Sequence, residues 1–141
     1  MLKEKLCFAA GVIGANITAI YGGWSSAMTS LLIFMGIDFV TGFLVAAVFK
    51  KSKKSSGGAL DSYAAWKGLV KKCVTLLLVL MAHRLDVEMK THFVKDAVCI
   101  AFITSEGLSI FENAAIMGIP VPAALQKALD LFKKEGEKNA E

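Results

Sequence analysis

Three carboxylates stand where an apolar chain has least use for them. Asp38 is the single charge between Ala27 and Phe49, and Glu106 and Glu112 are the only charges between Ala97 and Ile119. An ionisable side chain in such surroundings is costly. Where one is kept it lines water, passes ions or protons, or pairs with another helix. At 100° per residue Ser105, Glu106, Ser109, Glu112 and Asn113 fall within a sector of about 120°, a polar stripe along one side of a helix. In the other segment Asp38, Thr41 and Gly42 share a face. These eight residues are the candidates for lining a pore or pairing helices. The alternative is a hydrogen-bonded glue inside one monomer.

Catalytic chemistry finds no support. No P-loop, GxSxG or HExxH occurs, and Asp38 has no second aspartate motif. His83 and His92 lie near one span end without a metal-ligand spacing to Asp86 or Cys99. The cysteines, Cys7, Cys73 and Cys99, are odd in number and form no CxxC, so neither a disulfide framework nor a zinc site is implied. We expect no enzyme, no metal and no cofactor.

The elements that must position the carboxylates follow from hydropathy. The chain has 141 residues, enough for one domain, with 55% hydrophobic residues and a mean hydropathy of +0.58. It reads as an all-α integral membrane protein with spans at about residues 6–23, 27–49, 69–85 and 97–119. The second span would be about 34 Å long, enough to cross the hydrocarbon core. On an insertion scale each Leu, Ile, Phe or Val contributes about −0.3 to −0.6 kcal/mol and a central Asp about +2.5 to +3.5 kcal/mol. By that measure the second span inserts comfortably. The fourth is marginal, because its two glutamates offset the whole apolar gain. In the first, Gly11, Gly14, Ala15, Thr18 and Gly22 line one face, which suits close helix packing. That segment could also pass for a cleaved signal peptide, but its apolar residues continue through Ile20 and another span follows directly.

Charge sets the orientation. Seven of the 16 basic residues, Lys50, Lys51, Lys53, Lys54, Lys67, Lys71 and Lys72, fall between positions 50 and 72. Beside a long apolar run such a block marks a cytoplasmic loop, here 50–68, rather than a nucleic-acid surface. Lys71 and Lys72, at the start of the third span, would snorkel to the interface. The tail, 121–141, adds more lysines and reads as an amphipathic cytoplasmic helix, with Leu125, Leu129 and Phe132 on one side. It would lie on the inner membrane surface or bundle with copies of itself. Four spans put every basic piece, and both termini, inside. Three spans would leave the first segment at the surface or move the amino terminus outside.

Three stretches carry a family resemblance: IDFVTGF from Ile37, WKGLVKK from Trp66, and ITSEGLSIFENAAIMGIPVPAALQKAL from Ile103. Their order and spacing resemble the phage lysis holins, a family that includes clostridial toxin-secretion holins. The resemblance implies homo-oligomers in the bacterial cytoplasmic membrane. These form lesions that release an endolysin, or a toxin, as cargo. Its implied partners are the chain itself, membrane lipids and an antiholin. A small ion or solute transporter and an antiholin-type regulator are the competing functions.

Overall fold

The computed structural model describes residues 1–138, apart from the side chains of residues 132, 133 and 135–137. Among the described residues there are five helices and no strand: α1 (Leu2–Ile20), α2 (Ser26–Ala47), α3 (Ser62–Met89), α4 (Val94–Ile116) and α5 (Ala123–Lys138). Local chemistry sets the ends. Ser25 caps α2, its Oγ accepting from the Met28 N–H at 3.2 Å, and Asp61 caps α3 by accepting from the Tyr63 N–H at 3.0 Å. Lys90 closes α3 in the left-handed region, at φ 56°.

The start of α3 corrects the expected boundaries. The helix begins at Ser62, so Lys67 is helical and the connecting loop is shorter than residues 50–68. The chain between Asp61 and Leu69 holds no proline, and Asp61 supplies a cap, so the helix extends outward past the apolar run.

α4 is the hub, packing on α2, α3 and α5, while α2 and α3 touch each other little. Leu31 of α2, Val79 of α3 and Cys99 of α4 are wholly buried at the centre of a cluster completed by Met28, Met35 and Ile103. Around this core the outward faces stay apolar. Ile33, Val40, Leu77 and Met81 are all more than half exposed, a pattern that suits a lipid surround better than water. In such a surround the core contributes close van der Waals packing rather than dehydration. By length and apolarity α2 alone, among the described residues, qualifies as a membrane-crossing helix. Lys3, Glu4 and Lys5 in α1, the lysines of α3 and the two glutamates of α4 dilute the others.

Two further expectations change. The small face of α1 is not packed within one chain: α1 buries no residue, and nothing lies within 4 Å of where a Cβ would stand at Gly11 or Gly14. Ala15 is exposed, and Thr18 only returns its hydroxyl to the Gly14 carbonyl at 2.8 Å. Small residues permit close approach without compelling it. Gly22 is the exception, since the His83 ring occupies the space a side chain would need, and its φ of 71° favours glycine as well. Beside it the Tyr21 hydroxyl donates to the Leu76 carbonyl at 2.9 Å, and Lys95 Nζ donates to the Tyr21 carbonyl at 3.0 Å. These bonds tie the end of α1 to the bundle.

The second change is α5, which docks on α4. Leu129 is buried, and a Cβ at Gly107 would lie 2.7 Å from its Cδ1. The glycine is thus a notch that admits the leucine. Leu125 is exposed, and the Phe132 side chain lies outside the described residues.

Candidate functional site

The polar layer is built by stepping seven residues from the apolar one. Leu31 leads to Asp38 along α2, Val79 back to Lys72 along α3, and Cys99 to Glu106 and then Asn113 along α4. Seven residues are two turns, about 10.5 Å, and return to nearly the same face. The geometry that brings the core together therefore brings these groups together too.

Lys72 Nζ lies 2.9 Å from Asp38 Oδ2 and also donates to a Glu106 carboxylate oxygen, bridging α2 and α4 from α3. Its side chain is 15% exposed, and those of Asp38 and Glu106 are 8% and 15%. Asn113 Nδ2 donates to Thr41 Oγ1 at 3.0 Å and to Asp38 Oδ1 at 3.4 Å, and the Thr41 hydroxyl donates to the Asp38 carbonyl at 3.1 Å. At Gly42 a Cβ would stand 3.7 Å from the Asn113 amide, so the helices approach closely there. Among the described residues no buried side-chain nitrogen or oxygen lacks a partner. This matters because a buried charge left unpaired is far costlier than a paired one.

Lys72 does not snorkel. It points into the bundle because it shares a face with Val79, whereas Lys71 lies outside and is exposed. The heptad relation of Lys72 to Val79 was the available signal in the sequence. The carboxylate stripe of α4 also divides. Glu106, Ser109 and Asn113 turn toward α2 and α3, while Ser105 and Glu112 are exposed, and Glu112 makes no ion pair among the described residues. Beside the layer a cleft of about 390 Å³ opens between α3 and α4, lined by Ser105, Glu106 and Ser109 and by Lys54, Lys67 and Lys71.

A second cluster holds the other end of the bundle. α4 begins at Val94 without a cap from its own preceding residue. Asp86, in the last turn of α3, caps it instead. Its carboxylate accepts from the Val94 N–H at 3.0 Å, the Lys95 N–H at 2.8 Å and the Thr91 hydroxyl at 2.6 Å. Burial pushes the Asp86 carboxyl up, but these donors and the Phe93 N–H outweigh it and hold it below the usual carboxylate range. Asp86 carried no sequence signal, because its partners are five to nine residues on and meet it only when the turn folds.

A model of the bacteriophage holin family matches residues 15–134. An uncharacterized protein of Halalkalibacterium halodurans is 31% identical over 97% of this chain and its own full length. A protein of Bacillus phage phi105 named a probable holin is 32% identical, covering 79% of this chain and 77% of its own length. An uncharacterized protein of Clostridium perfringens is 32% identical over 88% of this chain and 89% of its own. No solved structure matches.

Proposed function

The chain belongs to the bacteriophage holin family, non-enzymatic proteins of the cytoplasmic membrane, and from that premise we propose that it is itself a holin. It crosses the membrane four times with both termini inside, self-associates, and opens lesions that pass an endolysin or a toxin. The observation that carries this reading is the Lys72 bridge between Asp38 and Glu106. Within one chain it pairs Asp38 of α2 with Glu106, one of the two glutamates that make α4 a poor lipid-facing helix. The same groups, turned toward water, need no partner. An element with two such arrangements is what a timed opening requires.

The exposed edge of the stripe supports self-association. Ser105 and Glu112 are exposed, and Glu112 makes no ion pair among the described residues. A carboxylate on that surface is satisfied by water or by another copy, not by lipid. The functional roles of Asp38, Thr41, Gly42, Ser105, Glu106, Ser109, Glu112 and Asn113 follow from this: the inward set holds the closed state, and the whole set lines the lesion.

Inducing the gene in a bacterial host, with and without a co-expressed endolysin lacking its own export signal, tests the proposal. A holin halts growth abruptly and releases endolysin activity. A transporter leaves cells intact, and an antiholin leaves them intact while delaying a partner. Reporter fusions at the amino terminus, after Lys53, after Lys90 and at the carboxyl terminus test the four-span topology, which requires inside, inside, outside and inside; an amino terminus outside would leave three spans.

A further inference from the structure

We propose that the groove between α2 and α3 is a binding site for one anionic phospholipid, its acyl chain along Phe39, Phe43 and Gly68 and its phosphate at Lys54, Lys67 and Lys71. The proposal rests on the membrane reading above. α2 and α3 touch each other little, leaving a gap of about 80 Å³ with Phe39, Phe43 and Ala46 of α2 and Ala65 and Gly68 of α3 as apolar walls, Asp38 at one end, and the loop between the helices, Asp61 included, along its rim. The walls of the gap are mostly apolar side chains, and in a bilayer the apolar group that can make dispersion contacts with them is an acyl chain. The gap runs into the basic cleft, since Lys54, Ala64, Gly68 and Lys72 line both.

Charge selects the headgroup. The cleft holds four lysines and two carboxylates. Both carboxylates are engaged by Lys72, while Lys54, Lys67 and Lys71 form no ion pair among the described residues. Three lysines outside any ion pair among the described residues line one opening, next to an apolar gap, and fit a phosphate ester that carries a tail. A lysine near an anionic headgroup contributes about fivefold in binding, so on the order of a hundredfold for three.

Phe39 lines the gap, so a tryptophan at that position gives a probe. The full chain carrying Trp24→Phe/Trp66→Phe/Phe39→Trp is placed in phosphatidylcholine vesicles doped with brominated phosphatidylglycerol or brominated phosphatidylcholine, and quenching of the single tryptophan is titrated. The anionic lipid is expected to bind at least tenfold more tightly. Lys54→Gln/Lys67→Gln/Lys71→Gln is expected to bring the ratio close to one. Gly68→Leu, which keeps every charge and fills the groove, is expected to weaken phosphatidylglycerol at least fivefold. Lys3→Gln/Lys5→Gln/Lys127→Gln, with the same loss of charge elsewhere, is expected to change the ratio less than twofold. Equal loss in the two triple variants would overturn the site in favour of diffuse attraction. So would displacement by millimolar inorganic phosphate with Gly68→Leu unaffected, which would mark a phosphate site without a tail. If the chain with its lysines and Gly68 intact is quenched by neither brominated lipid, the membrane reading itself fails. If a lysine variant does not insert, Gly68→Leu decides alone.

Discussion

Replacing Lys72 by methionine removes the one cation between two buried carboxylates while nearly conserving the side-chain length. Asp38 and Glu106, 8% and 15% exposed at the side chain, are then left facing each other without a counter-charge. Removing one partner of a buried pair costs about 3–5 kcal/mol, so the closed arrangement should lose about a hundredfold to a few thousandfold in population against an open one. The expected result is early growth arrest after induction, at a membrane level of protein equal to or below that of the parent chain. Optical density followed through induction gives the time, and immunoblots of membrane fractions give the amount. The triple change Asp38→Asn/Lys72→Met/Glu106→Gln separates charge from packing. It removes all three charges at nearly constant volume, a replacement that is often neutral or stabilising. Its arrest should therefore come later than that of Lys72→Met. Two results would refute the reasoning: Lys72→Met arresting at the parent time with parent amounts in the membrane, or the triple variant arresting as early as the single one.

Other substitutions address the remaining contacts. Glu112→Gln should leave the monomer's thermal stability within about 0.5 kcal/mol, because an exposed group without a partner has little to lose, whereas Glu106→Gln should lower it measurably by circular dichroism in detergent. Asp86→Asn should cost about 2 kcal/mol, since it weakens a cap that serves two backbone N–H groups and a hydroxyl. Its pH dependence has a definite sign. The folded carboxyl is held low, so the stabilisation is complete above the unfolded value of about 3.9 and is lost as pH falls through the lower folded value; a thermal series from pH 7 to pH 2 should show an acid limb that is shallower in Asp86→Asn. Gly107→Val should undock α5, because even its Cβ would stand 2.7 Å from one Leu129 methyl and 3.3 Å from the Phe34 ring, and trypsin should then cut at Lys127 at least tenfold faster in detergent.

The stripe on α4 illustrates what periodicity can and cannot resolve. The helical angles put Glu106, Ser109 and Asn113 on one face, since the repeat is a property of the backbone. They placed Ser105 and Glu112 there as well, yet α2 and α3 cover only one edge of the sector, and that depends on where the neighbouring helices lie. Lys72 was misread for a related reason. Next to Lys71, at the start of an apolar run, it had the composition of an interfacial lysine. Only its register with Val79, fixed by the packing of α3 on α4, turns it inward.

By itself the sequence determined the helical character, the positions of the apolar runs, the basic loop and the presence of carboxylates too costly for lipid, because each depends on local composition and the repeat of the helix. The tertiary structure decided which carboxylates are paired, that Lys72 is their common partner, that Asp86 caps a helix other than its own, and that Leu129 needs the missing side chain of Gly107. Those are contacts between residues distant along the chain or across a turn, and no local pattern encodes the direction from which a neighbour arrives.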